Sequence, residues 1–199
     1  MNVAFFFEVL IGGLLSGVMY SLVALGFVLI YKASGVFNFA QGAMVFFAAL
    51  TFVSLVERGV NFWLALLVTL AVMVVLGMSI EKVVLRPLVN QPPITLFMAT
   101  IGLTFVLEGL SQLLWGSQPH GLELGFADVP MEWLSQSTGI NISQFDLFAA
   151  GVAGLLVATL ALFFQYTRIG RALRAVADDH QAALAVGIPL KNIWAIVWA

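Results

Sequence analysis

The chain has 199 residues, of which 62% are hydrophobic and 9% are charged, with a mean hydropathy of +1.07 and a formal net charge of −2. About a quarter of the residues of a soluble domain are charged, so this composition excludes a soluble globular fold and indicates an integral membrane protein. There is no Cys, which excludes disulfides and thiol chemistry, and the two His residues lie far apart in the sequence. We therefore expect no metal site and no cofactor.

Five segments have the roughly 20 mainly apolar residues that a membrane-crossing helix needs. They are residues 9–31, 36–56, 62–80, 95–115 and 147–166. The first apolar run is too long for a signal peptide and is followed by no small-residue cleavage site, so we expect it to be retained. Another apolar run begins after Lys191. The prediction is an all-α polytopic transmembrane protein with five full spans and the start of a sixth.

Basic residues indicate the orientation of these spans, because Lys and Arg accumulate in cytoplasmic loops. Seven of the eight basic residues fall in alternate loops on one side, namely Lys32, Lys82, Arg86, Arg168, Arg171, Arg174 and Lys191. The other side has only Arg58, and the loop over residues 116–146 has acidic residues but no basic one. This distribution predicts an external N-terminus.

The stretch YKASGVFNFAQGAM, residues 31–44, is unusually polar for the start of the second span. Gly35 and Gly42 are poor residues for a helix interior, and Asn38 and Gln41 can hydrogen-bond backbone groups that a break would free. A discontinuous helix bordering a cavity is one interpretation. The other is a cytoplasmic turn followed by an ordinary span with a polar first turn.

The fourth span carries Thr100, Thr104, Glu108 and Ser111 within an arc of roughly 80° on one helix face. An ionised Glu108 facing lipid would cost about 3 kcal/mol or more, so it should face protein or water. One interpretation is that this stripe lines a path. The alternative is that the threonines bond their own helix and that Glu108 stays protonated in a helix interface.

The segment after the fifth span is charged again, and residues 170–186 read as a helix ended by Gly187 and Pro189. Its apolar side comprises Leu173, Val176, Ala177 and Leu184. This helix is too short and too polar to cross a membrane. It could lie on anionic lipid or dock a soluble partner, and adjacent Asp178 and Asp179 favour docking.

Four stretches resemble, in order, the permease subunit of bacterial ABC importers for branched-chain amino acids. They are GLLSGVMYSLVALGFVLIYKASGVFNFAQGAMVFFAALTFV, IEKVVLRPL, TLFMATIGLTFVLEG and TRIGRALRAVADDHQAALAVGI. The resemblance implies an inner-membrane protein that is no enzyme itself. Its implied partners are a second related permease, two cytoplasmic ATPase subunits that hydrolyse ATP, a periplasmic substrate-binding protein and the lipid bilayer, with no nucleic acid.

The resemblance also implies functional residues. Residues 167–191 are similar to the cytoplasmic coupling segment, with Arg171, Arg174, Asp178, Ala182, Ala183 and Gly187 as contacts to the ATPases. Gln181 stands where the family usually has Glu, and Gln41 stands where it often has His. The expected substrate path includes Asn38, Gln41, Gly42, Thr100, Thr104 and Glu108.

Family members have further helices, so residues 1–199 are expected to be a single permease domain that is incomplete at its C-terminus. The residues alone also allow a different class of transport protein. An ion-coupled secondary transporter or channel for small polar or amide solutes would use an intramembrane charge such as Glu108 for coupling.

Overall fold

The computed structural model describes residues 3–35, 37–88, 91–121, 129–131, 135–136, 139–178 and 197–198. Within these ranges the regular structure is helical, apart from one isolated antiparallel bridge between Pro130 and Ser143. The α-helices are α1 (Val3–Ser34), α2 (Gln41–Glu57), α3 (Phe62–Ile80), α4 (Pro93–Trp115), α5 (Gln144–Tyr166) and α6 (Arg168–Asp178). A π-helical turn, Glu81–Leu85, and a 3₁₀ turn, Arg86–Leu88, prolong α3.

Four helical segments of the described chain are long and apolar enough to cross a membrane. They are Val3–Lys32, Phe62–Leu88, Ile94–Trp115 and Gln144–Tyr166. The fifth apolar helix, α2, has only 17 residues and starts at Gln41, five residues after the start predicted for the second span. The predicted bounds of the third span match α3, whereas the helix predicted over residues 170–186 begins earlier, at Arg168.

Side chains next to the helices explain where several of them begin and end. The side chain of Asn61 accepts a hydrogen bond from the N–H of Trp63 and caps α3. Ser143 caps α5 in the same way through the N–H groups of Phe145 and Asp146. Gly116, with φ of +79°, ends α4, because this left-handed conformation suits a residue without Cβ.

Large apolar side chains point outward from the helices. Leu113 is 82% exposed, Tyr20 is 74% exposed and Trp63 is 70% exposed. In water such surfaces would drive aggregation, whereas lipid tails solvate them. These exposed faces agree with the lipid environment that the composition predicts.

The chain divides into two compact units, each described by itself. One comprises Met1–Gly26 and Leu124–Thr167, and there a Cβ built on Gly154 of α5 would lie 3.8 Å from Cγ1 of Val18 in α1. The other comprises Phe27–Glu123 and Arg168–Ala199. In this second unit α2 packs against α3 and α4, and the buried core residues are Ile30, Ala40, Ala43, Phe47, Ile80, Leu85, Leu96, Leu103, Leu107 and Trp198.

Candidate functional site

The non-helical segment between α1 and α2 is held by its own polar groups. Gly35 ends α1 with φ of +69°, and its N–H donates to the carbonyl of Tyr31 at 2.8 Å. The side chain of Asn38 is buried, its Oδ1 accepts from the N–H of Ala40 at 3.1 Å, and its Nδ2 donates to Oε1 of Gln41 at 3.2 Å. The Asn38 side chain therefore supplies a partner for the N–H of Ala40 where the helix is interrupted.

Thr100 of α4 shows how deep this break lies. Its side chain is fully buried, and Oγ1 lies 3.1 Å from the carbonyl oxygen of Phe37 and 2.9 Å from that of Phe97. At about 1.5 Å per residue, Thr100 is about 10 Å along α4 from Pro93. The break is therefore level with the interior of a helix of spanning length, where irregular backbone is tolerated only beside protein or a wet cavity.

The other polar residues of the α4 stripe differ from Thr100. The hydroxyl of Thr104 donates to the carbonyl of Thr100 at 3.2 Å, and that of Ser111 donates to the carbonyl of Leu107 at 2.8 Å, so both bond their own helix. Glu108 is exposed instead. The stripe thus combines one tertiary contact, three hydroxyl contacts within the helix and one accessible carboxylate.

A cleft of about 710 Å³ lies between α2 and α4. Gly42, Phe46 and Leu50, each four residues apart on α2, line one wall. Glu108 and Gln112, with the same spacing on α4, and Gly116, which follows the helix, line the other wall. Residues four apart share a helix face, so two matching faces border one space, of which the first is apolar and the second polar.

The structure distributes the predicted path residues over two places. Asn38, Gln41 and Thr100 surround the break, whereas Gly42 and Glu108 line the cleft. Thr104 bonds its own helix between these two places. Gln112 was not predicted, although its position one helical turn after Glu108 is visible in the sequence.

His120, which also lines the cleft, ties the segment after α4 to the end of α2. Its Nδ1 lies 3.1 Å from the carboxylate of Glu57, and its Nε2 lies 3.3 Å from the carbonyl oxygen of Trp115. Both neighbours are acceptors, so the doubly protonated ring satisfies both. The hydrogen bond to Glu57, and secondarily the one to Trp115, raise the pKa of His120 above its usual 6.5. No local pattern signals this pair, because 63 residues separate its members.

A second ionic contact lies in the turns that prolong α3. Arg86 Nη2 lies 2.8 Å and Nε lies 3.1 Å from the two carboxylate oxygens of Glu81, whose side chain is only 4% exposed. The backbone N–H of Arg86 also bonds the carbonyl of Glu81. This five-residue spacing is that of a π-helix, whereas a regular α-helix does not align residues five apart.

A comparison with protein families identifies the family to which the chain belongs. The sequence profile described as "Branched-chain amino acid transport system / permease component" matches residues 9–199. The chain belongs to this family. It is accordingly a multi-pass membrane permease component, in agreement with its apolar helices and with the resemblance of its motifs.

The chain has several curated relatives that are named as branched-chain amino acid transport permeases. It is 26% identical over 203 residues to the high-affinity branched-chain amino acid transport system permease protein LivH of Escherichia coli K12, covering 98% of this chain and 66% of the relative. It is 27% identical to the corresponding BraD of Pseudomonas aeruginosa, covering 97% and 66%. A probable LivH of Methanocaldococcus jannaschii is 28% identical, with 96% and 61% covered. The chain thus spans about two thirds of these relatives, and no solved structure matches it.

The predicted coupling residues of the permease lie partly on α6. Arg171, Arg174 and Asp178 are exposed on this helix, and Leu173 and Val176 are buried on its other side. Ala182, Ala183 and Gly187 lie outside the described residues. Within the described ranges no group of three or more His, Cys, Asp or Glu residues could hold a metal ion.

Proposed function

We propose that this chain is the permease subunit of an ATP-driven importer for branched-chain amino acids in the bacterial inner membrane. The family match over residues 9–199 carries the proposal. Its partners are a second related permease, two cytoplasmic ATPase subunits and a periplasmic substrate-binding protein. The chain itself hydrolyses no ATP. An importer of this kind needs a path, a coupling surface and a fixed orientation, and each has a candidate here.

The substrate path runs beside the break and through the cleft between α2 and α4. Asn38, Gln41 and Thr100 hold irregular backbone at the depth of a spanning helix. Transporters place such broken helices at substrate sites, because freed backbone groups and half-helix ends are the polar groups that lipid otherwise forbids. The apolar wall along Phe46 and Leu50 suits an aliphatic side chain.

The topology is five spans and the start of a sixth, with the N-terminus outside and residues 1–199 as one permease domain. In this arrangement α2 counts as a span, although its 17 residues measure only about 25 Å, because the break supplies the rest of the crossing. The segregation of seven basic residues from Arg58 supports the orientation.

Residues 167–191 form the cytoplasmic coupling segment. The two-sided character of α6 supports this role, since Leu173 and Val176 are buried while Arg171, Arg174 and Asp178 are exposed. Packed side chains on one side of a helix can transmit a push that a partner applies to the other side. Closure of the ATPases would thereby re-open the path on the other side of the membrane.

Capture of the ATPases tests the coupling segment. A tagged chain carrying Arg174→Glu together with Ala183→Asp should lose the ATPase subunits in a pull-down, whereas Lys32→Glu, which reverses another exposed basic residue, should retain them. Retention by the double variant would contradict the assignment.

A transport assay tests the dependence of uptake on ATP, and a labelling experiment tests the orientation of the chain. Proteoliposomes holding the assembled importer should accumulate leucine only with ATP, and uptake without ATP would favour an ion-coupled carrier.

Because the chain has no Cys, single-Cys variants can be labelled cleanly with an impermeant maleimide. In intact cells Arg58→Cys should react and Arg174→Cys should not. The reverse result would overturn the orientation.

A further inference from the structure

The two walls of the cleft differ in chemistry, and this difference indicates what the cleft binds. The α2 wall offers Phe46 and Leu50, which are apolar. The α4 wall offers the carboxylate of Glu108 and, one turn further, the carboxamide of Gln112. Binding clefts combine an apolar lining with a few converging polar groups that orient the ligand.

Glu108 is the charged residue of this wall, and the part of the chain that the structure describes shows no ion pair for it. Two ion pairs of the described residues join Glu81 to Arg86 and Glu57 to His120, and Glu108 takes part in neither. The segment that closes the cleft, residues 116–120, contains no Lys or Arg, and its one basic side chain, His120, contacts the carboxylate of Glu57. A carboxylate in a membrane helix needs a cation or water, and the open cleft is where either can reach it.

We propose that Glu108 and Gln112 bind the ammonium group of an amino acid or small primary amine, while Phe46 and Leu50 contact its aliphatic side chain. The carboxylate accepts charge-assisted hydrogen bonds from the ammonium group, and the carboxamide oxygen of Gln112 accepts a further one. The face of Phe46 also attracts a cation. This inference deepens the proposed function by assigning the end of the substrate that the cleft recognises.

The ligand class follows from the balance of groups. An amine with a branched aliphatic tail matches both walls, whereas a carboxylate without an amine meets Glu108 as a like charge. A neutral sugar or amide would leave the Glu108 charge without a counter-charge. The site therefore discriminates by the ammonium group first and by the apolar tail second.

Calorimetric titration of the purified full chain in nanodiscs tests this subsite without requiring transport. The probes are L-leucine, 3-methylbutan-1-amine, which keeps the ammonium group and branched tail, and 4-methylpentanoate, which lacks the amine. Leucine and the amine should bind and compete with each other, and 4-methylpentanoate should not bind. No binding of the amine, or equal binding of the acid, would overturn the proposal.

Variants assign the binding to Glu108. Glu108→Gln is nearly isosteric and should lower the affinity for the amine by about tenfold or more, which is the loss expected for a charge-assisted hydrogen bond. Gln112→Met should lower this affinity less. Glu8→Gln makes the same chemical change in α1, at a residue that is not among those lining the cleft, and should bind as the unaltered chain does. Thermal unfolding checks that each variant is folded. Unchanged amine binding by folded Glu108→Gln would contradict the assignment.

The outcome separates this subsite from the importer itself. If Glu108→Gln binds amines normally while ATP-dependent leucine uptake persists, the importer stands and the subsite is wrong. If amine binding depends on Glu108 but uptake does not depend on ATP, the subsite stands and the importer is wrong.

Discussion

Replacing Thr100 by Val tests whether the break between α1 and α2 is held from α4. The substitution keeps the shape of the side chain and removes the hydroxyl that lies 3.1 Å from the carbonyl oxygen of Phe37. The carbonyl of Phe97, the second neighbour of this hydroxyl, belongs to the interior of α4 and keeps its bond within the helix. Only the carbonyl of Phe37 therefore loses a partner.

The expected loss follows from the burial of Thr100, whose side chain has no exposed surface. An unsatisfied buried carbonyl costs about 1–3 kcal/mol, and hydrogen bonds measured inside membrane proteins contribute about 0.6 kcal/mol on average and up to about 1.7. We expect a destabilisation of about 1–2 kcal/mol. For a chain of this size, that corresponds to a fall in Tm of roughly 2–8 °C.

Thr104→Val is the matched control, because the Thr104 hydroxyl bonds only a carbonyl of its own helix, that of Thr100. Its removal should change the stability by less than about 0.5 kcal/mol. The assays are thermal unfolding in detergent and hydrogen exchange of the peptide covering residues 35–44, which should accelerate only in Thr100→Val. Equal effects of the two substitutions would refute the role given to Thr100.

Three further predictions test other features of the structure. In His120→Gln the loss of thermal stability should be largest below pH 6.5, because a raised folded-state pKa makes protonation stabilising; the loss should disappear as the pH rises through that raised pKa. Arg86→Gln should lower the stability measured by thermal unfolding by about 2 kcal/mol. This loss is smaller than that from breaking a fully buried ion pair, because the Arg86 side chain is 44% exposed. Adding Glu81→Gln should restore most of the lost stability, because no buried carboxylate is then left without a partner. A Cβ atom added to Gly35 or to Gly102 would meet open space, but of these two residues only Gly35 has a positive φ. Gly35→Ala should therefore destabilise the protein by about 1 kcal/mol, whereas Gly102→Ala should stabilise it slightly. Equal changes in Tm would contradict this.

Most of the helical architecture is predictable from the sequence because it depends on local chemistry. Lipid as solvent requires long apolar helices, and the span predicted at residues 62–80 coincides with α3. The cap at Asn61 is equally local, because its side chain reaches an N–H only two residues away. The glycines and Asn38 make an interruption before α2 one of the two interpretations that the sequence allows, since each acts on the backbone beside it.

Only the tertiary structure decides which polar residues of one helix face meet a partner. Thr100 and Thr104 share a face and a residue type, yet only Thr100 reaches the break, because the packing of α2 against α4 brings Phe37 to its level. Glu57 and His120 meet across 63 residues for the same reason. The periodicity of the sequence predicts which face of a helix a residue occupies. Which residues of another segment contact that face depends on how the helices pack.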